Sequence, residues 1–215
     1  MGVPGRPRGF DAELALDAAV DVFWRRGYDG ASLSELTAAM GINPPSLYAA
    51  FGSKAGLFQT ALHRYVERNM GYVADALARP TAQEVAAAFL TGNAIAVTLP
   101  GHPAGCLSVQ AAVAPEGSTQ LASLTKNRVA IQALFADRFR RAIGEGDLPS
   151  DEDPDGLAAF LITVTSGFAI SAADGAPREL LLTMARRTMA SFPPFPASPD
   201  RAVHRSADSE PTGSK

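Results

Sequence analysis

Pro44 and Pro45 stand side by side in GINPPSLYAAFGSKAGLF (residues 41–58), a stretch that otherwise favours helix. A proline inside a helix lacks an amide donor and clashes with the preceding turn, so this pair permits a helix only if the helix begins there. With Asn43 as N-cap, Pro44 takes the first helical position, where no amide partner is needed, and Pro45 stays in the first turn. Leu47 and Phe51, four apart, then face inward. Asn43, Pro44, Ser46 and Ala49 are left outward, with Tyr48 at the edge. Gly52 ends the short helix, and Ser53 caps a longer one carrying Leu57, Phe58, Ala61, Leu62 and Tyr65.

The flanking segments repeat this punctuation. Asp11 is expected to cap a helix running to about Arg26, with Leu14, Ala18 and Val22, and with Ala15, Ala19 and Phe23, at helical spacing. Gly27 stops it in RRGYDG. SLSE (Ser32 to Glu35) reads as a capping box opening a helix whose buried stripe is Leu33, Leu36 and Met40. Gly41 closes it where a left-handed residue is wanted. TAQE (Thr81 to Glu84) is a second capping box, before VAAAFLTGNAIAVTL. PGHPAG (100–105) reads as a loop, and Cys106 as the start of a short helix to about Ala114. Residues 118–143 form a long helix with Leu121, Leu124, Ile131, Leu134 and Phe135 inward. Two further helices follow at 155–173 and 177–191. The first is apolar on nearly all sides (LAAFLITVTSGFAI), so it must be covered on each, with a partner subunit as one candidate.

The expectation is an all-α chain of about nine helices. It divides into a flexible basic arm (1–9), a helix-turn-helix DNA-binding head (10–54), a helical effector-binding and dimerisation domain (55–192) and a disordered Pro/Ser-rich tail from 193. Composition agrees: of 215 residues, 47 % are hydrophobic and 19 % charged, as in a globular protein with a real core. No run approaches the roughly 20 apolar residues of a bilayer span, so no membrane partner is expected. MGVPGRPRGF has no apolar core and is not read as a secretory signal. The single cysteine, Cys106, excludes an internal disulfide framework and fits a reducing cytoplasm.

A helix, a glycine-containing turn and a second short helix make a helix-turn-helix, whose second helix enters the major groove. Many helical proteins contain such pairs without binding DNA. The net charge of −3 also argues against DNA, and residues 1–54 carry five basic and six acidic side chains. The placement of particular residues argues the other way. Small or polar side chains (Asn43, Ser46, Ala49) face outward, Tyr48 and Lys54 flank them as phosphate donors, and Arg6 and Arg8 form an arm of the kind that reaches the minor groove.

Residues 6–65, RPRGFDAELALDAAVDVFWRRGYDGASLSELTAAMGINPPSLYAAFGSKAGLFQTALHRY, closely resemble the DNA-binding domain of TetR-family transcriptional regulators. The resemblance is carried by A..VFW..GYDGAS, by L..AMGI..PSLYAAFGSKAGLF and by the GRPR arm. GCLSVQAA (105–112) resembles a TetR subgroup with GCL at the start of its sixth helix. The resemblance implies base or groove contacts from Asn43, Pro44, Pro45, Ser46 and Ala49, and phosphate contacts from Ser32, Tyr48 and Lys54. Prolines where relatives often carry lysine or glycine imply readout by thymine methyls and DNA shape more than by hydrogen bonds. It further implies a homodimer through the last two helices, a near-palindromic double-stranded operator and a small-molecule effector that releases a repressor. Thr37 departs from the alanine usual at this helix crossing and is expected to loosen the packing slightly.

Candidate effector-pocket residues are Phe89, Asn93, His102, Cys106, Gln110, Phe135, Phe139 and Phe168, each of which core packing would also explain. His102 and Cys106 on a loop make a poor metal site, so neither metal nor cofactor is expected. A cysteine beside a histidine at a helix N-terminus is a candidate reactive thiol, which would make the chain a redox or electrophile sensor. The plainer reading is a small buried apolar side chain. A Cys/His enzyme would need a third orienting group, and none stands at a recognisable spacing. A helical adaptor without DNA affinity is the remaining alternative.

Overall fold

The computed structural model describes residues 12–110 and 119–193. They form ten α-helices: α1 (Ala12–Gly30), α2 (Leu33–Met40), α3 (Pro44–Phe51), α4 (Lys54–Asn69), α5 (Gly71–Leu77), α6 (Ala82–Ala96), α7 (Leu107–Gln110), α8 (Thr119–Gly144), α9 (Pro154–Ala173) and α10 (Arg178–Met189). The helix absent from the sequence reading is α5, which follows a break at Met70 (φ −113°, ψ 17°), begins on Gly71 and has no side-chain cap. The Asp11 cap, the arm with Arg6 and Arg8, the end of the Cys106 helix and the tail after Pro193 lie outside the described residues.

Local chemistry sets the helix starts. Ser32 Oγ accepts from the Glu35 amide at 3.0 Å, Asn43 Oδ1 from Ser46 at 2.8 Å, Ser53 Oγ from Gly56 at 3.0 Å and Thr81 Oγ1 from Glu84 at 3.2 Å. Only Thr81 completes a capping box, through the Glu84 carboxylate. The box expected at Ser32 is half formed, because Glu35 turns instead to Arg26 Nε at 3.2 Å. Gly27, at φ 69° and ψ 179°, breaks α1 beyond Arg26 as expected, and Gly41 adopts the left-handed cap. Thr37 is buried with its hydroxyl donated to the Leu33 carbonyl at 2.8 Å, which satisfies its polar atom inside its own helix.

Tertiary packing chose the buried faces. In α1 the buried row is Ala15, Ala19, Val20, Phe23 and Trp24, while Leu14, expected inward, is 66 % exposed. The reason is α4: Phe58 meets Phe23 edge-on at 5.0 Å and Tyr65 meets Trp24 at 4.8 Å, which fixes the rotation of α1. Leu134, also expected inward, is 52 % exposed, because α8 turns Phe135, Ala136 and Phe139 to the core. An aromatic run, Tyr72–Phe89–Phe135–Phe139–Phe192, threads this core with ring centroids 4.3–6.3 Å apart. Contrary to the sequence reading, one helix among the described residues, α9, is long and apolar enough to cross a bilayer by length and composition. Here it packs against α6, α8 and α10 and buries Leu157, Leu161, Phe168 and Ala172.

Candidate nucleic-acid interface

The turn Gly41–Asn43 delivers α3 as a separate two-turn helix behind α2. Leu47 anchors it, fully buried, and Phe51 is half-buried against the same core. Asn43, Pro44, Pro45, Tyr48 and Ala49 are exposed along its N-terminal and outer side, and Ser46 is half-buried. Capping engages the Asn43 oxygen, so its amide nitrogen is the atom left to meet a ligand. Ser32 is exposed and likewise engaged as a cap. The Lys54 ammonium lies 4.5 Å from the Tyr28 ring centroid, a cation–π contact. Tyr28 in turn packs on Phe23 and Phe58. Sequence reading missed Tyr28, whose signal was only an aromatic just after the helix-breaking glycine.

The charge objection weakens once partners are located. Between Glu35 and Glu67 the chain has no acidic residue, so α3 and most of α4 carry no carboxylate. On α1, Glu13 accepts from Arg64 at 3.0 Å, and Asp17 accepts from Arg64 Nε at 2.9 Å and from Arg68. Burial by itself pushes the Asp17 carboxyl up, but the hydrogen bonds and charges of Arg64 and Arg68 outweigh it and hold the group below its ordinary value. Through residue 69 the basic and acidic side chains number seven each.

A second feature lies in the body. A cavity of about 50 Å³ is lined from Met70 and α5, α6, α7, α8 and α9, by Tyr72, Phe89, Asn93, Cys106, Ser108, Asn127, Thr165 and others. Of the sequence candidates, Phe89, Asn93 and Cys106 meet there. Phe135, Phe139 and Phe168 are fully buried core and do not line it. His102 is exposed in a separate cleft, its ring 6.1 Å from Trp24. Nothing is described of the Gln110 side chain. Tyr72, Asn127 and Thr165 were missed, though each is a polar residue on an apolar helix face. Asn93 Nδ2 donates to Tyr72 Oη at 2.9 Å. Tyr65 Oη donates to Cys106 Sγ at 3.2 Å, and burial, reinforced by that thiol, raises the Tyr65 phenol well above its ordinary value. Tyr65 therefore bridges the cavity wall to Trp24 of α1. Among the described residues, no three His, Cys, Asp or Glu side chains gather as a metal site would require.

Residues 15–61 match the model of the bacterial regulatory proteins, tetR family. The HTH-type transcriptional repressor ComR of Escherichia coli K12 is 36 % identical over 196 residues, covering 88 % of this chain and 92 % of that protein. The HTH-type transcriptional repressor BdcR of the same organism is 35 % identical, covering 85 % and 89 %. Among solved structures, a cysteine mutant of the TetR-family regulator CifR complexed with 26-bp double-strand operator DNA superposes with a TM-score of 0.82 at 44 % identity, covering 87 % of this chain and 100 % of that one. With family model, full-length relatives and fold in agreement, this chain belongs to the TetR family of bacterial regulatory proteins.

Proposed function

We propose that the protein is a homodimeric transcriptional repressor, acting in the cytoplasm, that leaves a near-palindromic operator when a small molecule occupies the body cavity. The observation that carries this reading is α3: a capped, uncharged helix with an exposed outer side within a carboxylate-free stretch, carrying Tyr48 and followed by Lys54. Pro44, Pro45, Ser46, Ala49 and the Asn43 amide meet base edges and thymine methyls. Ser32, Tyr48 and Lys54 meet phosphates, and Arg6 and Arg8 extend the contact from the arm. The head spans 10–54 and the effector and dimerisation domain 55–192. The operator-bound CifR structure supports the DNA role.

Exposed apolar side chains on the last two helices support the dimer. Phe160 and Ile170 of α9 are 40 % and 55 % exposed, and Leu180 and Met184 of α10 are 49 % and 36 % exposed. These faces pair α9 and α10 with their copies, setting two α3 helices about one DNA turn apart. Effector binding acts through α4, which carries Tyr65 beneath the cavity and holds α1 through Arg64 and Arg68. The size of release equals the effector's differential affinity for the two states. Cys106 serves here as a buried wall residue, and the reading assigns no catalytic step.

A mobility-shift titration with the duplex upstream of the chain's own coding sequence tests this. Dimer binding is expected, with affinity falling steeply as salt rises, and Lys54→Ala reduces that salt slope. Absence of binding to any duplex at low salt overturns the reading.

A further inference from the structure

Asn93 Oδ1, Ser108 Oγ and Asn127 Nδ2 are buried and have no hydrogen-bond partner among the described residues. All three residues line the body cavity, and Asn93 and Ser108 are only 5 % and 4 % exposed. Buried polar atoms are almost always paired. Three unpaired ones converging on one cavity therefore call for a partner from outside the chain.

Their chemistry defines that partner. Asn127 Nδ2 can only donate, and Asn93 Oδ1 can only accept, since its amide nitrogen is given to Tyr72. The Ser108 hydroxyl can do either. A hydroxyl group matches the set with one oxygen, which accepts from Asn127 and Ser108 and donates to Asn93. The rest of the wall is mainly apolar, including Phe89, Ile131 and Ile162, and among the described residues no acidic side chain lines it. A cation would find nothing to neutralise it. The one charged lining group, Arg128, is already held by the Ser108 carbonyl at 3.0 Å and by Thr125 at 3.1 Å. A carboxylate would set acceptor against acceptor at Asn93. We propose that the effector is an uncharged organic alcohol with an apolar body.

The cavity also shows where that body goes. Its 50 Å³ is far below the roughly 300–1,000 Å³ of small-molecule pockets. A mainly apolar groove of about 330 Å³ adjoins it, between α4–α5 and α8, and Met70, Asn127 and Ile131 line both spaces. The groove's one acidic lining residue among those described, Glu67, is exposed and faces His63 Nε2 at 3.1 Å. Met70 is unbranched and adaptable and stands at the break between α4 and α5. Turning the Met70 and Ile131 side chains joins the two spaces into one site, with Asn127 held at the junction. The hydroxyl sits at the inner end, and the apolar body runs outward past the α4–α5 junction.

The inference rests on the repressor reading only for the word effector; the binding chemistry stands by itself. Benzyl alcohol, benzylamine, benzoate and toluene, with the matching n-hexyl series, are titrated into the full-length protein without DNA, by calorimetry and thermal shift. The alcohols are expected to bind at least tenfold more tightly than the amine, the acid or the bare hydrocarbon of the same series. Ser108→Ala and Asn127→Leu, each checked for native helicity, are expected to lose at least tenfold of that affinity. If Asn127→Leu does not fold, Ser108→Ala decides. Equal binding of the charged compounds, no binding in either series, or full alcohol affinity in the folded variants overturns the proposal. Repeating the titration with operator duplex separates the two readings. Alcohol binding by a protein that binds no duplex sinks the repressor and leaves this site. Duplex binding by a protein that ignores every alcohol does the reverse.

Discussion

In the head, α2, α3 and α4 each start on a side chain whose oxygen takes the amide three residues ahead, and their apolar faces close on Phe23, Phe58 and Leu47. Around the body cavity, three buried polar atoms have no partner among the described residues, and the walls come from five separate segments. The head is not without exceptions, since Trp24 Nε1 is buried and unpaired. The contrast is still clear. A surface that must present fixed atoms to a rigid duplex is built from locally satisfied helices. A site that must change shape on binding keeps unspent hydrogen-bonding capacity and room beside it.

The largest effect should come from breaking the head's packing. Phe58 lies edge-on to both Phe23 and Tyr28, so Phe58→Ala is expected to cost about 3–5 kcal/mol in urea denaturation. A loss below about 1 kcal/mol would mean that the head is not the tightly packed half. Removing the α3 cap is a milder insult. Asn43→Ala should cost about 1 kcal/mol and weaken operator binding, with Asn43→Ser recovering most of the stability. In the body the sign should reverse. Asn127→Leu removes an unpaired donor and is expected to leave stability unchanged or raise it by up to about 1 kcal/mol, seen as an unchanged or higher midpoint. A clear destabilisation there would erase the contrast. The smallest effect is confined to acid. The folded-state value of Asp17 is depressed, so its stabilisation is fully present above the unfolded carboxyl value of about 4 and is lost as pH falls through the lower folded value. Asp17→Asn should flatten stability against pH in that window and leave its shape near neutral pH unaltered.

Much of the architecture could be read in advance, and the failures share a cause. Helix boundaries at Ser32, Asn43, Ser53 and Thr81 were legible because each cap bonds within three residues. The α4–α5 break at Met70 was not, because no side-chain cap marks it and Gly71 is the one local signal there. Leu14 and Leu134 were assigned inward because periodicity gives an apolar arc but not where its edges fall. Trp24 and Phe139 took the buried positions once α4 and α6 set the rotation of their neighbours. On the DNA side, counting charge to residue 54 overstated the acidity, because Arg64 and Arg68 reach back across α4 to the α1 carboxylates. For the cavity, Asn93 and Cys106 were named without the partners that give them meaning, Tyr72 and Tyr65.

What the amino-acid sequence determined by itself is the head: its caps, its glycine stops and the proline-led helix α3, all settled by hydrogen bonds and steric limits acting within a turn or two of chain. Only the tertiary structure decided the cavity. Tyr72, Asn93, Ser108 and Asn127 stand on four different helices, and which of their polar atoms stay unpaired depends on how those helices pack. No local rule links them, because the groups that could satisfy them are distant in sequence and close only after folding.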